Sequence, residues 1–327
     1  MCAAAGVQCQ KISVLPHGEV KGCFMKKNLA FVLSGGGSRG AMQAGALRAL
    51  VEGGYTPDMV CGTSIGAING AFLAVHGFNA QGLQKLEQVW KTTVDRDLLP
   101  TNLWWQTMRV FFGRDKGISQ QKILDFAASN GLTPELRFKD LQLFSLFLVA
   151  ADLNTGSQVI FGTDPQDFVL ESVLASMTIP PWIVPLEKDG RFLIDGGAVS
   201  NLPIEAALLQ GATEIIALDL FNPQDQQRKP GRLAPMIYKL DKTFENRKIQ
   251  LELDLAEARR VPVRRIRLVT EQTVPIWDFR QSAALIEFGY QLARQEMLTW
   301  KDNEKSSLFW QPDLKAALEG LRRFIKP

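Results

Sequence analysis

Histidine is nearly missing from this chain: His17 and His76 are the only two in 327 residues. That scarcity narrows the ways in which a nucleophilic serine could be served. Cysteine is also scarce. Cys2, Cys9, Cys23 and Cys61 show no C-x-x-C spacing, and three of them precede the first expected strand, so neither a zinc site nor a disulfide framework is indicated. Long apolar runs are absent too. The longest, Leu143 to Ala151, includes Ser145 and falls far short of the ~20 residues that span a bilayer. The first residues lack a basic n-region, so no secretory signal peptide is expected and the protein is expected to be cytoplasmic, at most peripheral to a membrane. A net charge of +3 makes no case for nucleic acid. Internal repeats and low-complexity tracts are missing as well.

What is present is a regular alternation of strand-like and helix-like segments. Leu29 to Leu33 reads as a buried parallel strand, and further strands are expected at 58–61, 146–151, 158–161, 191–194, 214–220 and 265–269. Helices fit 42–53, 67–75, 83–94, 119–130, 167–176, 203–210, 240–260, 281–300 and 314–325. Alternation of this kind predicts a mostly parallel sheet covered on both faces. The expected organisation is a tail over residues 1–24, an α/β core over 25–221 and a mainly helical C-terminal part over 222–327. The polar, proline-bearing stretch 222–235 marks the second boundary.

Two segments admit two readings. Residues 98–112 crowd Trp104, Trp105, Phe111 and Phe112 between Pro100 and Gly113, which suits a core-facing helix or an interfacial lid. Arg259 to Arg267 is locally basic, which suits a helix end running into a solvated edge strand, or contact with anionic lipid.

The chemistry lies in three short segments. Gly62-Thr63-Ser64-Ile65-Gly66 is a G-x-S-x-G elbow, in which glycines allow the sharp strand-to-helix turn that exposes a serine hydroxyl. His76 stands twelve residues beyond Ser64 on the following helix, roughly 18 Å away at 1.5 Å per residue, and cannot reach it. The elbow therefore needs another base. Upstream, Ser34-Gly35-Gly36-Gly37-Ser38-Arg39-Gly40 joins a strand to a helix and presents bare N–H groups to an anion. It also satisfies G-x-G-x-x-G, but the acidic residue expected after the second strand of a dinucleotide site is poorly matched, because Asp58 precedes that strand. A tetrahedral oxyanion is the better ligand. Asp195-Gly196-Gly197 ends a buried strand, at the sheet edge where sites of parallel sheets collect, and Asp195 is the carboxylate best placed to act as base. Taken alone, the same residue reads as an ordinary turn cap.

In this order the three segments resemble the patatin-like phospholipase family, and Ala175-Ser176-Met177-Thr178-Ile179-Pro180 and Asn201-Leu202-Pro203 add to the resemblance. It covers roughly residues 28–220. It implies a three-layer α/β/α fold, a phospholipid or other acyl-ester lipid as substrate, transient contact with a membrane surface, and no cofactor or metal. Carried onto this chain, it makes Ser64 the nucleophile, Asp195 the base and Gly35, Gly36 and Gly37 the oxyanion hole. Arg39 would steady the loop or bind a headgroup phosphate. Thr178 and the pair Trp182-Ile183 depart from the family's usual residues, which bears on pocket shape and leaves the dyad intact.

Overall fold

A computed structural model of the protein describes residues 27–92, 120–180, 183–223, 233–271 and 274–309. The tail, the tryptophan-rich segment 98–112, Trp182 and the helix expected at 314–325 lie outside the described residues. The strands are β1 (Leu29–Leu33), β2 (Met59–Thr63), β3 (Ser145–Asp152), β4 (Gln158–Phe161), β5 (Leu186–Lys188), β6 (Arg191–Asp195), β7 (Glu214–Asp219) and β8 (Val263–Arg267). The helices are α1 (Gly40–Glu52), α2 (Ile65–His76), α3 (Ala80–Thr92), α4 (Gln120–Ser129), α5 (Val169–Met177), α6 (Ile204–Leu209), α7 (Leu233–Ala258) and α8 (Ser282–Phe309).

Among the described residues, the eight strands join one sheet. β1 pairs in parallel with β2 and β7, β2 with β3, and β7 with β8. β4 and β6 run antiparallel to β3, and β5 runs antiparallel to β6. β1 and β2 are buried almost throughout because helices cover both faces, which is why these strands read as continuous apolar runs. Phe31, Leu33, Val60, Leu148, Ile216 and Leu218 pack beneath α1, α2, α3, α5 and α8. Their alternates Ala30, Val32, Cys61, Val149, Ile215 and Ala217 pack against α6 and α7. Burial drives the Cys61 thiol far above its usual range, so it serves as an inert filler.

The C-terminal part is more closely joined to the core than its helical pattern suggests, since β8 extends the same sheet. The helix read from residue 240 begins at Leu233. Pro235 sits in its first turn, where a missing N–H breaks no intrahelical bond, so proline does not delay the start. α8 lies directly on α1. A β-carbon on Gly45 would fall 1.8 Å from the Ile286 carbonyl oxygen, and one on Gly289 would fall 2.1 Å from that of Met42. The basic run is taken up internally at two points: Arg264 pairs with Glu214 at 2.6 Å, and Arg265 pairs with the buried Asp219.

Candidate active site

Ser64 and Asp195 lie far apart in sequence, yet strand topology brings them together. β2 and β6 share one side of β3, because β4 occupies the other side along residues 148–151. β2 ascends and ends with Thr63 opposite Val149, while β6 descends and ends with Asp195 opposite Ala150. The two strands stop head to head against neighbouring residues of β3. The Ser64 hydroxyl lies near enough to the Asp195 carboxylate to favour its ionised form. Gly196 makes the close meeting feasible, since a β-carbon there would sit 2.2 Å from the Val149 carbonyl oxygen and 3.1 Å from Thr63 Cγ2.

The elbow is strained. Ser64 adopts φ 54° and ψ −119°, a conformation that few non-glycine residues tolerate, immediately before α2. The flanking glycines are demanded by packing. A β-carbon on Gly62 would strike the Gly66 carbonyl at 2.6 Å, and one on Gly66 would strike the Leu33 carbonyl at 2.2 Å. The strain is held by a residue whose role the sequence did not reveal. The Ser64 N–H donates to Ser176 Oγ at 2.9 Å, and that hydroxyl donates in turn to the Val149 carbonyl at 2.6 Å. Two residues on, the Thr178 carbonyl accepts the Asp195 N–H at 2.7 Å. The segment 175–180 thus fixes both partners.

Asp195 retains some exposed surface but is lodged deep in protein. Loss of hydration lifts its carboxyl from the ordinary 3.8 to about 6, against the lowering influence of the Ser64 hydroxyl, the Gly197 N–H at 2.7 Å and the Lys248 ammonium. Glu245 adds to the rise.

The glycine loop closes over the serine. A β-carbon on Gly35 would lie 3.2 Å from Ser64 Cβ and 2.3 Å from Asn201 Oδ1. Gly35 corrects one expectation: its N–H already donates to the Asn201 carbonyl at 3.0 Å, so it lines the site rather than offering a free donor. For the N–H groups of Gly36 and Gly37 no acceptor is found among the described residues. Gly37 holds φ +60° and faces the Ile276 carbonyl, which excludes any side chain there. For Arg39 the headgroup reading is the one that gives way. The residue is buried to 7% exposure and its Nε donates to the Gly36 carbonyl at 3.2 Å, so it braces the loop from within and is poorly placed for a headgroup. Beneath the loop, Trp90 Nε1 donates to Asn69 Oδ1, Asn69 Nδ2 to Gln43 Oε1, and Gln43 Nε2 to the Ser34 carbonyl. This chain satisfies each buried polar group in turn and makes the loop rigid.

His76 hydrogen-bonds the Asn130 carbonyl at 2.9 Å and stacks on Phe72, at the far end of α2 from Ser64. His17 lies outside the described residues. Among the described residues, no group of three His, Cys, Asp or Glu could hold a metal ion, and no helix is long and apolar enough to cross a membrane.

The family model for patatin-like phospholipases matches residues 31–208. Among curated proteins, patatin-like phospholipase domain-containing protein 7 of Mus musculus is 34% identical over 201 residues, covering 59% of this chain. The chain spans only 13% of that relative's length. Uncharacterized protein YqhO of Bacillus subtilis (strain 168) is 29% identical over 294 residues, covering 82% of this chain and 98% of its own. Among solved structures, VipD from Legionella pneumophila aligns at 16% identity and a TM-score of 0.43, over 84% of this chain and 67% of that one.

Proposed function

This chain belongs to the patatin-like phospholipase family, and from that premise we propose that it is a serine-dependent lipid acyl hydrolase working through a Ser64-Asp195 dyad. The observation that carries the reading is a half-buried serine in a strained elbow placed beside a desolvated carboxylate, with His76 at the far end of the following helix. A carboxyl near 6 remains mostly ionised at neutral pH and is a stronger base than an ordinary aspartate.

In the proposed reaction Ser64 Oγ attacks the ester carbonyl carbon while Asp195 accepts the hydroxyl proton. The oxygen of the tetrahedral adduct takes up negative charge and is met by the N–H groups of Gly36 and Gly37, held rigid by Arg39 and the Trp90-Asn69-Gln43 chain. As the adduct collapses, Asp195 returns the proton to the departing alcohol and leaves an acyl group on Ser64. Water then attacks that acyl carbon, gives its proton to Asp195, and the carboxylic acid departs as Ser64 recovers a hydrogen. Removing one oxyanion donor elsewhere costs about 2.7 to 4 kcal/mol, so the two amides supply a leading share of the catalysis.

A panel of phospholipids, lysophospholipids and chromogenic fatty-acyl esters tests this. Wild type should release fatty acid from at least one class, and Ser64→Ala should lower kcat by about a thousandfold or more. Hydrolysis at the wild-type rate by purified Ser64→Ala would end the proposal.

A further inference from the structure

α7 belongs to the segment that the family match at 31–208 does not reach, yet its charged residues converge on the turn behind Asp195. Lys242, Glu245, Ile249, Glu252 and Ala256 recur at three- and four-residue spacing and form one inward face. Ile249 and Ala256 enter the core, while Glu245 and Glu252 are buried to 8% and 7% exposure. Buried carboxylates are retained at a cost unless they are paired, and each of these is committed. Glu245 pairs with Lys242 and accepts from Asn201 Nδ2, and Asn201 also reaches the Gly35 carbonyl. Glu252 accepts from the Ser200 hydroxyl and from the Glu205 N–H. Beside them Lys248 Nζ donates to the carbonyls of Gly197 at 2.6 Å and Ala198 at 2.9 Å. Residues 197 to 201, the stretch that follows Asp195, are therefore gripped at four points by one helix.

We propose that Lys248 and Glu245 are positioning residues for the reaction: they hold the turn that presents Asp195 and bias the charge on its carboxyl in opposite directions. This rests on the dyad reading above. The grip is geometric. Lys248 fixes Gly197, whose N–H donates to Asp195 Oδ1. The bias is electrostatic. Asp195 is faced by the Ser64 hydroxyl and the Gly197 N–H, by the Lys248 cation, which favours its ionised form, and by the Glu245 anion, which disfavours it. Lys248 is itself faced by Glu245, Asp241, Lys242 and Glu252. Burial outweighs those three carboxylates, lowering its proton affinity below the lysine norm. Both residues bond to the stretch 197–201 that follows Asp195, so both act through Asp195.

The test is the pH dependence of kcat/KM for an acyl ester hydrolysed by the full chain, in wild type, Lys248→Met, Lys248→Arg and Glu245→Gln. The wild-type acid limb should fall near pH 6. Lys248→Met keeps the alkyl stem, removes the cation and should move that limb up by about one pH unit, at nearly constant KM. Lys248→Arg should restore the wild-type limb. Glu245→Gln keeps an acceptor for Asn201 and should move the limb down. Opposite displacement by two neighbouring substitutions is a signature that loosened packing does not produce. Limbs that coincide with wild type in both variants, or that move the same way, overturn the proposal. If Lys248→Met fails to fold, the downward shift in Glu245→Gln decides alone. Ser64→Ala and Asp195→Asn separate the two levels: full hydrolysis by either removes the dyad and this inference together, whereas their inactivity beside unshifted limbs removes only the role of α7.

Discussion

Replacing Asp195 with Asn should make the protein more stable at neutral pH, and by an amount the structure specifies. Asparagine is nearly isosteric, keeps an oxygen for the Gly197 N–H and offers Ser64 a hydrogen-bond partner. What it lacks is a charge to desolvate. In the folded protein the Asp195 carboxyl stands at about 6 against 3.8 for an unhindered one, so the native state binds this proton more tightly than the unfolded chain. A raised carboxyl contributes its full stability below pH 3.8 and loses it as pH climbs through 6. At ~1.4 kcal/mol per pH unit, that gap amounts to about 3 kcal/mol, to be read as an order of magnitude. Urea denaturation of both proteins at intervals from pH 4 to 8 provides the assay. Glu252, whose carboxyl burial lifts to about 7, titrates in both proteins and cancels in the difference. The variant's advantage should be small at pH 4, grow through pH 5 and level off above pH 6. A constant difference across that range, or a variant that loses ground as pH rises, would refute the burial argument for Asp195.

Three further substitutions probe the parts around the dyad. Ser176→Ala removes the acceptor of the Ser64 N–H and should cost about 1 to 3 kcal/mol in unfolding free energy, with kcat falling while KM holds, checked by denaturation and steady-state kinetics. Gly35→Ala places a methyl group against Asn201 Oδ1 and the Ser64 side chain, so kcat should drop about a hundredfold in a protein whose circular dichroism is unchanged. His76→Ala gives up one hydrogen bond to the Asn130 carbonyl, about 1 kcal/mol of stability, and should retain wild-type kcat in the same ester assay.

The fold was legible where periodicity is strong and burial two-sided. Leu29 to Leu33 and Gln158 to Phe161 coincide with β1 and β4 because continuous apolar runs bounded by polar residues admit little else. β5 escaped notice because its three residues, Leu186-Glu187-Lys188, carry no pattern. The elbow, the glycine loop and Asp195 were visible as motifs, since tight turns and bare amides demand particular residue types. Donor assignment within the loop was not visible: Gly35 and Gly36 look alike in sequence, and only the fold shows that Asn201 occupies the first. Arg39 stayed open between two readings for a related reason, because an arginine beside a glycine loop gives no sign of whether it faces out or in. The contribution of α7 was hidden most fully. Nothing in the local sequence says which face of this charged helix turns inward, and the burial of Glu245 and Glu252 follows from a long-range packing choice that no local spacing records.

An organophosphonate that mimics the tetrahedral adduct tests the central claim most directly, read by intact-mass and peptide mass spectrometry. Wild type should gain one phosphonyl group, on the peptide bearing Ser64, at a rate that rises with pH through about 6 as Asp195 ionises. Asp195→Asn should label far more slowly at every pH. Stoichiometric labelling at another residue, or equally fast modification of Ser64 in Asp195→Asn, would contradict the account.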